Sequence, residues 1–115
     1  LAWLDSQNVP SNAEERGWIL NSLCIAYMYR QEYEAANEML NKAELILLPI
    51  YGKQSDVFAT ILHNKGRIAQ LEGKLDEAKQ LLEEAIKIQI EINGKAFDKT
   101  IQYLDEVKHA IEIRL

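Results

Sequence analysis

Hydrophobic side chains recur along this chain at the three- and four-residue spacing of an amphipathic helix. The clearest stripe lies within residues 75–92 and consists of Leu75, Ala78, Leu82, Ala85 and Gln89, widened by Leu81, Ile88 and Ile92. Side chains at this spacing share one face of an α-helix, and such a face packs against another element. The same pattern predicts helices over about 13–30, 33–48, 56–72 and 97–115. The sequence therefore predicts an all-α fold of about five helices.

Residues at the ends of these segments support the helix assignments. Ser11-Asn12-Ala13-Glu14 is a Ser-x-x-Glu capping box, which pairs backbone amides that are otherwise free at a helix start. Ser55 or Asp56 is predicted to cap the third helix. The predicted stops are Pro49 and Gly52 after the second helix, Gly73 after the third and Asn93-Gly94 after the fourth.

Two stretches of the chain are similar to each other at an offset of 42 residues. Tyr33-Glu34-Ala35-Ala36 aligns with Leu75-Asp76-Glu77-Ala78, and the connector Gly52-Lys53 aligns with Gly94-Lys95. The other matches are Leu20 with Leu62, Cys24 with Gly66, Leu40 with Leu82 and Ala43 with Ala85. A repeat of this length predicts stacked helix pairs, because one pair alone cannot bury its apolar face.

The repeat divides the chain, which we predict to be a single domain over residues 1–115. Residues 1–8 align with the end of a second helix, residues 13–48 form the first repeat, and residues 55–92 form the second. Residues 97–115 are the first helix of a third repeat or a capping helix. We expect a piece of a longer solenoid, and a self-contained module with a solvated last helix is the alternative.

Each repeat carries the same spacing of small and large apolar residues. The first reads Leu20-x2-Leu23-Cys24-x2-Tyr27 with Ala36-x3-Leu40, and the second reads Leu62-x2-Lys65-Gly66-x2-Ala69 with Ala78-x3-Leu82. Both resemble the tetratricopeptide repeat, whose usual period is about 34 residues. The longer period is similar to that of kinesin light chains and of peptide-sensing regulators of Gram-positive bacteria. The resemblance implies antiparallel helix pairs stacked in a right-handed superhelix.

Three positions depart from the family pattern. Lys65 lies where a packed leucine is usual, and Ala69 replaces the tyrosine. Gln31 stands where the second unit has Gly73. We therefore expect looser packing in the second unit and a first inter-helix turn of different shape, with the topology unchanged.

Composition and charge restrict the function further. The 115 residues include 18 acidic and 13 basic side chains, a net charge of −5, whereas nucleic acid calls for a basic face. Cys24 alone cannot form an internal disulfide, and its position among small residues predicts a buried thiol. The longest apolar run, Leu45–Ile50, is too short to span a membrane, and residues 1–4 lack a basic leader. We expect a cytoplasmic module that binds neither nucleic acid nor membrane.

Catalytic and metal-binding patterns are missing from the sequence. His63 and His109 lie on different predicted helices, and no spacing of further ligands completes a metal site. Gly66 and Gly73 lie in a helix and a turn rather than in a phosphate-binding loop. We expect no cofactor, no metal and no enzymatic activity.

The family resemblance implies that the first helix of each unit lines a concave surface. The predicted contact residues lie between the packing positions: Trp18, Asn21, Ile25 and Met28 on the first helix, and His63, Asn64, Arg67 and Gln70 on the third. Further positions on this surface are Ser22, Thr60, Gln102, Asp105 and His109. An asparagine amide can both donate to and accept from a peptide backbone. An arginine can bind a carboxylate through two parallel N–H bonds.

The first helix is apolar on nearly every side between Trp18 and Tyr29. A helix of this kind is covered on all sides. We expect packing against the core and against a preceding segment that contains Trp3-Leu4. A ligand or a second copy of the chain, giving a homo-oligomer, is the alternative cover.

These observations favour a protein–protein interaction scaffold that binds a peptide or partner segment in its groove, without catalysis. The alternative is a sensory or regulatory segment of a larger signalling protein, such as a transcription regulator. In that case the array would receive a signal peptide or act on an attached effector domain. An enzyme is the third hypothesis, and only an activity that depends on His63 or Cys24 would support it.

Overall fold

The computed structural model describes residues 12–114 as five helices in chain order. They are α1 (Ala13–Tyr29), α2 (Tyr33–Tyr51), α3 (Asp56–Leu71), α4 (Leu75–Asn93) and α5 (Asp98–Arg114). No strand occurs within that range, which confirms the predicted all-α class. The helix end predicted for residues 1–8 lies outside the described residues.

The helices form two close pairs, α1 with α2 and α3 with α4, and α5 packs against α4. A Cβ atom on Gly66 of α3 would lie 2.7 Å from Cγ of Leu82 on α4. In the first pair, a Cβ atom on Gly17 would lie 2.6 Å from Cγ of Leu47. Atoms do not approach this closely, so these contacts need glycine. The expectation of looser packing in the second pair is therefore wrong.

Buried side chains connect the pairs into one stack. The first core cluster contains Leu40 and Leu47 of α2 together with Ile61 and Ile68 of α3. The third cluster joins Leu82 of α4 to α5. Each pair thus buries its apolar face against its neighbour, as the stacking of repeat units requires.

The predicted stripe of α4 is confirmed at its centre, where Ala78, Leu82, Ala85 and Gln89 are fully buried. On α5 the apolar spacing predicts one packed side with Ile101, Leu104, Ile111 and Leu115, and with Val107 adjoining. For Ile101 this prediction is wrong. Ile101 is 40% exposed, and the packed side consists of Thr100, Leu104 and Val107, with Ile111 beside it. Thr100 can take a core position because Gln89 Nε2 donates to its hydroxyl at 3.0 Å. Leu115, also assigned to that side, lies outside the described residues.

One polar contact recurs in both pairs between the start of the first helix and the end of the second. In the first pair the hydroxyl of Tyr51 donates to the carboxylate of Glu14. In the second pair Nδ2 of Asn93 donates to Oδ1 of Asp56 at 2.6 Å. Both contacts link residues 37 apart, and the two pairs are related by the 42-residue offset. The repeat is therefore visible in its polar contacts as well as in its core.

Lys65, which replaces the leucine of the family pattern, lies between the two pairs. Its ammonium group forms an ion pair with the carboxylate of Glu44 on α2. The side chain is about one quarter exposed, so its methylene groups pack while the charge reaches its partner. The charged residue thus fits the junction without opening it.

The first helix begins one residue later than the capping box predicted. Asn12 is the N-cap, and its Oδ1 accepts from the backbone N–H of Glu15 at 3.1 Å. Asn12 Nδ2 donates in turn to the Glu15 carboxylate at 2.9 Å, so Asn12 and Glu15 cap this helix. Ser11 lies outside the described residues. The cap predicted at Ser55 is confirmed, since its hydroxyl accepts from the backbone N–H of Phe58 at 3.1 Å.

The sequence predicts a stop of the second helix at Pro49, but the helix continues to Tyr51. Proline lacks a backbone N–H and therefore removes one helical hydrogen bond. In the last turn this loss is tolerated, because the next bonds form, including that from Gly52 N to Leu48 O at 2.8 Å. The end predicted at Gly52 is confirmed, as is the left-handed end at Gly94, with φ +82°.

The two inter-helix turns have the same shape, contrary to the expectation drawn from Gln31. Gln31 has φ +62° and Gly73 has φ +81°, both left-handed. Equivalent hydrogen bonds close the two turns, from Glu32 N to Tyr27 O at 2.9 Å and from Lys74 N to Ala69 O at 2.8 Å. Gln31 therefore adopts a backbone conformation that suits glycine better.

Cys24 is fully buried in the first core cluster, as predicted for a structural thiol. Burial raises the pKa of this thiol from 9.0 to about 11, because the charged thiolate loses its water. The thiol is therefore protonated and enclosed at neutral pH.

Replacing Gln31 with glycine should stabilise the protein by up to about 1 kcal/mol, because the left-handed conformation costs a residue with a side chain about 1–2 kcal/mol. Urea unfolding followed by circular dichroism measures the change. The reverse exchange, Gly73→Gln at the equivalent turn, should destabilise the protein by a similar amount. Unchanged unfolding midpoints in both variants would contradict this assignment.

The buried thiol predicts a loss of stability in alkali. The unfolded thiol ionises near pH 9.0, whereas the folded thiol keeps its proton to about pH 11. Stability is therefore fully present below pH 9.0 and falls as the pH rises towards 11. Urea midpoints at about pH 8 and about pH 10.5 measure this fall, and Cys24→Ala should show a smaller one. Equal falls in the two proteins would refute the prediction.

Candidate functional site

The first helices of the pairs, α1 and α3, adjoin along one face, and α5 extends that face beyond α3. Asn64 Nδ2 on α3 donates to Asn21 Oδ1 on α1 at 2.9 Å. The two residues are only 6% and 8% exposed. This amide pair joins the first repeat to the second at the base of a groove.

The amide pair leaves hydrogen-bonding groups free. Neither Asn21 Nδ2 nor Asn64 Oδ1 has a partner among residues 12–114. No side-chain nitrogen or oxygen of this range is both buried and unpaired, so these two atoms reach solvent. The amide pair therefore keeps one unpaired donor on Asn21 and one unpaired acceptor on Asn64.

Arg67 lies one turn beyond His63 on α3 and is held by α5. Its guanidinium lies 4.2 Å from the centre of the Tyr103 ring, a cation–π contact. Its Nη1 donates to Gln70 Oε1 at 2.9 Å and lies 3.4 Å from a carboxylate oxygen of Glu106. Nε and Nη2 have no partner in the described part of the chain and could bind an anion.

Glu106 balances this positive charge from α5. Its carboxylate accepts from Gln102 Nε2 at 3.1 Å and from Gln70 Nε2 at 2.9 Å. These hydrogen bonds lower the pKa of Glu106, and the charges of Arg67 and Lys99 lower it further. The groove therefore carries one fixed cation and one fixed anion near neutral pH.

The side chain of His63, on α3, contacts α5. Its Nδ1 lies 2.9 Å from the hydroxyl of Thr100, and its ring centre lies 5.2 Å from that of Tyr103. Burial lowers the pKa of His63, and the nearby charge of Arg67 lowers it further. The imidazole is therefore neutral at pH 7.

Five of the eight predicted contact residues line one pocket of about 350 Å³: Ile25, Met28, His63, Asn64 and Arg67. We call it the tyrosine pocket. Asn21 and Gln70 lie beside it as partners of Asn64 and Arg67. Trp18 does not line it; the side chain is half-buried against the first core cluster and borders a separate shallow depression on α1.

Five further residues of the tyrosine pocket are not among the eight predicted contact residues: Tyr29, Gln31, Tyr33, Leu71 and Tyr103. Of these, Tyr29 lies at the end of the apolar run noted on the first helix. Tyr29 and Leu71 occupy equivalent positions at the 42-residue offset, a signal that could have found them. On α5, Tyr103 and Glu106 face the groove, whereas the predicted Asp105 and His109 are exposed and Gln102 holds Glu106. The groove contacts of α5 therefore come from Tyr103 and Glu106, while Leu104 is buried like Leu62, its equivalent at the 42-residue offset.

A second pocket adjoins the first and shares His63 with it. This threonine pocket has a volume of about 420 Å³ and is lined by Thr60, His63, Gln89, Phe97, Asp98, Lys99 and Thr100. Of the predicted groove residues, Thr60 lies here rather than in the tyrosine pocket. The α1–α3–α5 face thus carries two neighbouring pockets with His63 between them.

Comparison with known proteins identifies the family. Residues 15–91 match the family described as Tetratricopeptide repeat, and this span is more than half of the chain. The chain therefore belongs to the tetratricopeptide repeat family, as the spacing of small and large residues indicated. A search of curated proteins finds no match.

Membership of this family defines the general function. Tetratricopeptide repeats are protein–protein interaction modules, and their partners are proteins or peptides. Within residues 12–114 no group of histidine, cysteine and acidic side chains could hold a metal ion. Across the same range no helix has the length and apolarity to cross a membrane.

The neutral state of His63 predicts a loss of stability in mild acid. Its pKa is lowered from 6.5 in the folded protein, so below pH 6.5 the unfolded chain binds a proton that the folded chain does not. Stability is therefore present above pH 6.5 and falls as the pH drops through the folded pKa. Urea midpoints at about pH 7.5 and about pH 5.5 measure this fall.

His63→Asn is the matched control for this measurement. Asparagine cannot titrate, but its side chain can still accept from Thr100 in place of Nδ1. The variant should lose less stability between the two pH values than the unmodified chain. Parallel losses would show that His63 does not carry the effect.

Proposed function

We propose that the chain is a peptide-binding module of a cytoplasmic protein, which holds an extended segment of a partner across α1, α3 and α5 without catalysing a reaction. The observation that carries the proposal is the amide pair of Asn21 and Asn64, with one free donor and one free acceptor at the base of the groove. A peptide unit in an extended chain has one N–H and one C=O that must be satisfied on binding.

The pre-arranged amide pair supports backbone recognition. The hydrogen bond between Asn64 and Asn21 holds both side chains in one rotamer, so binding loses little side-chain entropy. Each amide uses one polar atom in the hydrogen bond between the two asparagines and has its other polar atom available for the ligand. Groups of this kind bind a main chain regardless of its sequence.

Arg67 supports a preference for acidic peptides. Its stacking on Tyr103 and its bond to Gln70 fix the guanidinium plane, while Nε and Nη2 remain free for a carboxylate. Glu106 lies 3.4 Å away, a distance that leaves this ion pair open to competition. We therefore infer that an acidic side chain or a carboxyl terminus binds beside Arg67.

The walls of the tyrosine pocket supply the apolar part of the interaction. Tyr29 is 85% exposed and Leu71 is 37% exposed, although both are large and hydrophobic. Aromatic side chains at such sites commonly dominate binding free energy. A bulky apolar side chain of the partner would cover this surface.

The test uses the 115-residue chain and a random dodecapeptide library displayed on phage. The best peptide is synthesised, and its affinity is measured by calorimetry. The double variant Asn64→Ala/Arg67→Ala should bind it at least about tenfold more weakly, since it loses neutral and charged hydrogen bonds. Arg67→Ala alone, which leaves the buried amide pair intact, should lose part of this affinity.

The control is Asn41→Ala/Lys42→Ala, which removes an amide and a cation from exposed positions on α2. Its affinity should match that of the unmodified chain, and unfolding curves establish that each variant is folded. Equal affinity in the groove variant and the control would overturn the residue assignment. A library that selects no peptide would overturn the proposed function.

A further inference from the structure

A continuous set of hydrogen bonds connects the loop before α5 to His63. The backbone N–H of Phe97 donates to Gln89 Oε1 at 2.9 Å. Since a backbone N–H can only donate, it fixes which end of the Gln89 amide is oxygen. Gln89 Nε2 therefore donates to Thr100 Oγ1, which lies 3.0 Å away.

The hydroxyl hydrogen of Thr100 must then go to His63. Thr100 is fully buried, and Gln89 already uses one lone pair of its oxygen. Among the described residues its hydroxyl has one other partner, His63 Nδ1 at 2.9 Å. A buried hydroxyl without an acceptor is strongly disfavoured, so Thr100 donates and Nδ1 accepts.

This direction of donation determines where the imidazole proton lies. If Nδ1 carried the proton, it would point at Thr100 and leave the buried hydroxyl hydrogen without an acceptor. With Nδ1 as acceptor, the proton of neutral His63 is on Nε2. The tautomer is thus set by the Phe97 backbone through Gln89 and Thr100.

The Nε2–H group is available to a ligand. Nε2 has no hydrogen-bond partner within residues 12–114, and no unpaired polar side-chain atom there is buried, so it reaches solvent. His63 is the residue that the tyrosine and threonine pockets share. Its free donor therefore lies at the boundary between them.

We propose that His63 is a peptide-binding residue whose Nε2–H donates to a backbone carbonyl of a bound peptide that places one side chain in each pocket. The inference rests on the proposed peptide-binding function and deepens it. The ligand is an extended segment that crosses α3, with its carbonyl over His63 and its neighbouring side chains in the two pockets.

A carbonyl suits this position better than a charged group. Neutral His63 offers a single directed N–H, which is the complement of one carbonyl oxygen. Charged side chains lie on either side of this position, with Arg67 one turn further along α3 in the tyrosine pocket and Asp98 and Lys99 at the start of α5 in the threonine pocket. Asn64, the next residue along α3, has a free acceptor for a peptide N–H.

The tautomer is tested on the free protein, without any ligand. Nitrogen-15 NMR of the labelled 115-residue chain near pH 7.5 should show Nε2 of His63 protonated and Nδ1 unprotonated. Exposed His109 is the internal reference. Thr100→Val should abolish this fixed tautomer, and Thr100→Ser, which keeps the hydroxyl, should retain it. A proton on Nδ1, or an unchanged spectrum in Thr100→Val, would overturn the assignment.

The contact is tested with the dodecapeptide selected from the phage library. The amide of asparagine can take the place of Nδ1 of histidine, and the amide of the longer glutamine can take the place of Nε2. The two substitutions therefore separate the roles of the two ring nitrogens. His63→Asn keeps the bond to Thr100 and should bind about tenfold more weakly, whereas His63→Gln should stay within about threefold. Both variants lose the ring contact with Tyr103 equally.

The outcomes separate this inference from the function on which it rests. Equal affinities in His63→Asn and His63→Gln would overturn the contact while peptide binding itself stood. A library that selects no peptide would overturn the proposed function and the ligand assigned to His63 together. The tautomer would still be decided by the spectrum of the free chain.

Discussion

The close approach of the two helices in each pair is the constraint on which the rest of the structure depends. Gly66 against Leu82 and Gly17 against Leu47 leave no space for even one additional carbon atom. Burying an unpaired polar side chain in such an interface would cost free energy of folding. The polar side chains of α1 and α3 therefore meet between the pairs. The hydrogen bond from Asn64 to Asn21 is formed there.

The groove combines fixed geometry with unused bonding capacity. Three side chains of the groove each use one polar group in a hydrogen bond to a neighbouring residue and keep another exposed to solvent. They are His63, Asn64 and Arg67. A side chain held in this way loses little entropy when a ligand arrives, which is the physical basis of pre-organisation. Tyr103 contributes from α5 by contacting both His63 and Arg67, so the last helix is part of the site.

The helices and their close contacts could be predicted because they depend on local spacing and on residue size. Ala36, Ala43, Ala78 and Ala85, together with Cys24 and Gly66, marked the tight interfaces, and all are buried. The turn at Gln31 could not be predicted from its residue type, because tertiary packing imposes the conformation that Gly73 adopts freely. The burial of Thr100 on α5 was missed because threonine is typical of a surface position, and only the structure shows that Gln89 and His63 bind its hydroxyl.

The sequence by itself determined the helix pairs, their 42-residue repeat and their family, because periodicity and residue size act over short distances along the chain. Only the tertiary structure decided which polar atoms of the groove are used and which are free. That distinction depends on contacts between residues 36 to 43 positions apart, such as Gln70 with Glu106 and Asn21 with Asn64. A hydrogen bond forms only within a narrow range of donor–acceptor distance and angle, so the packing of the helices decides which of these bonds exist.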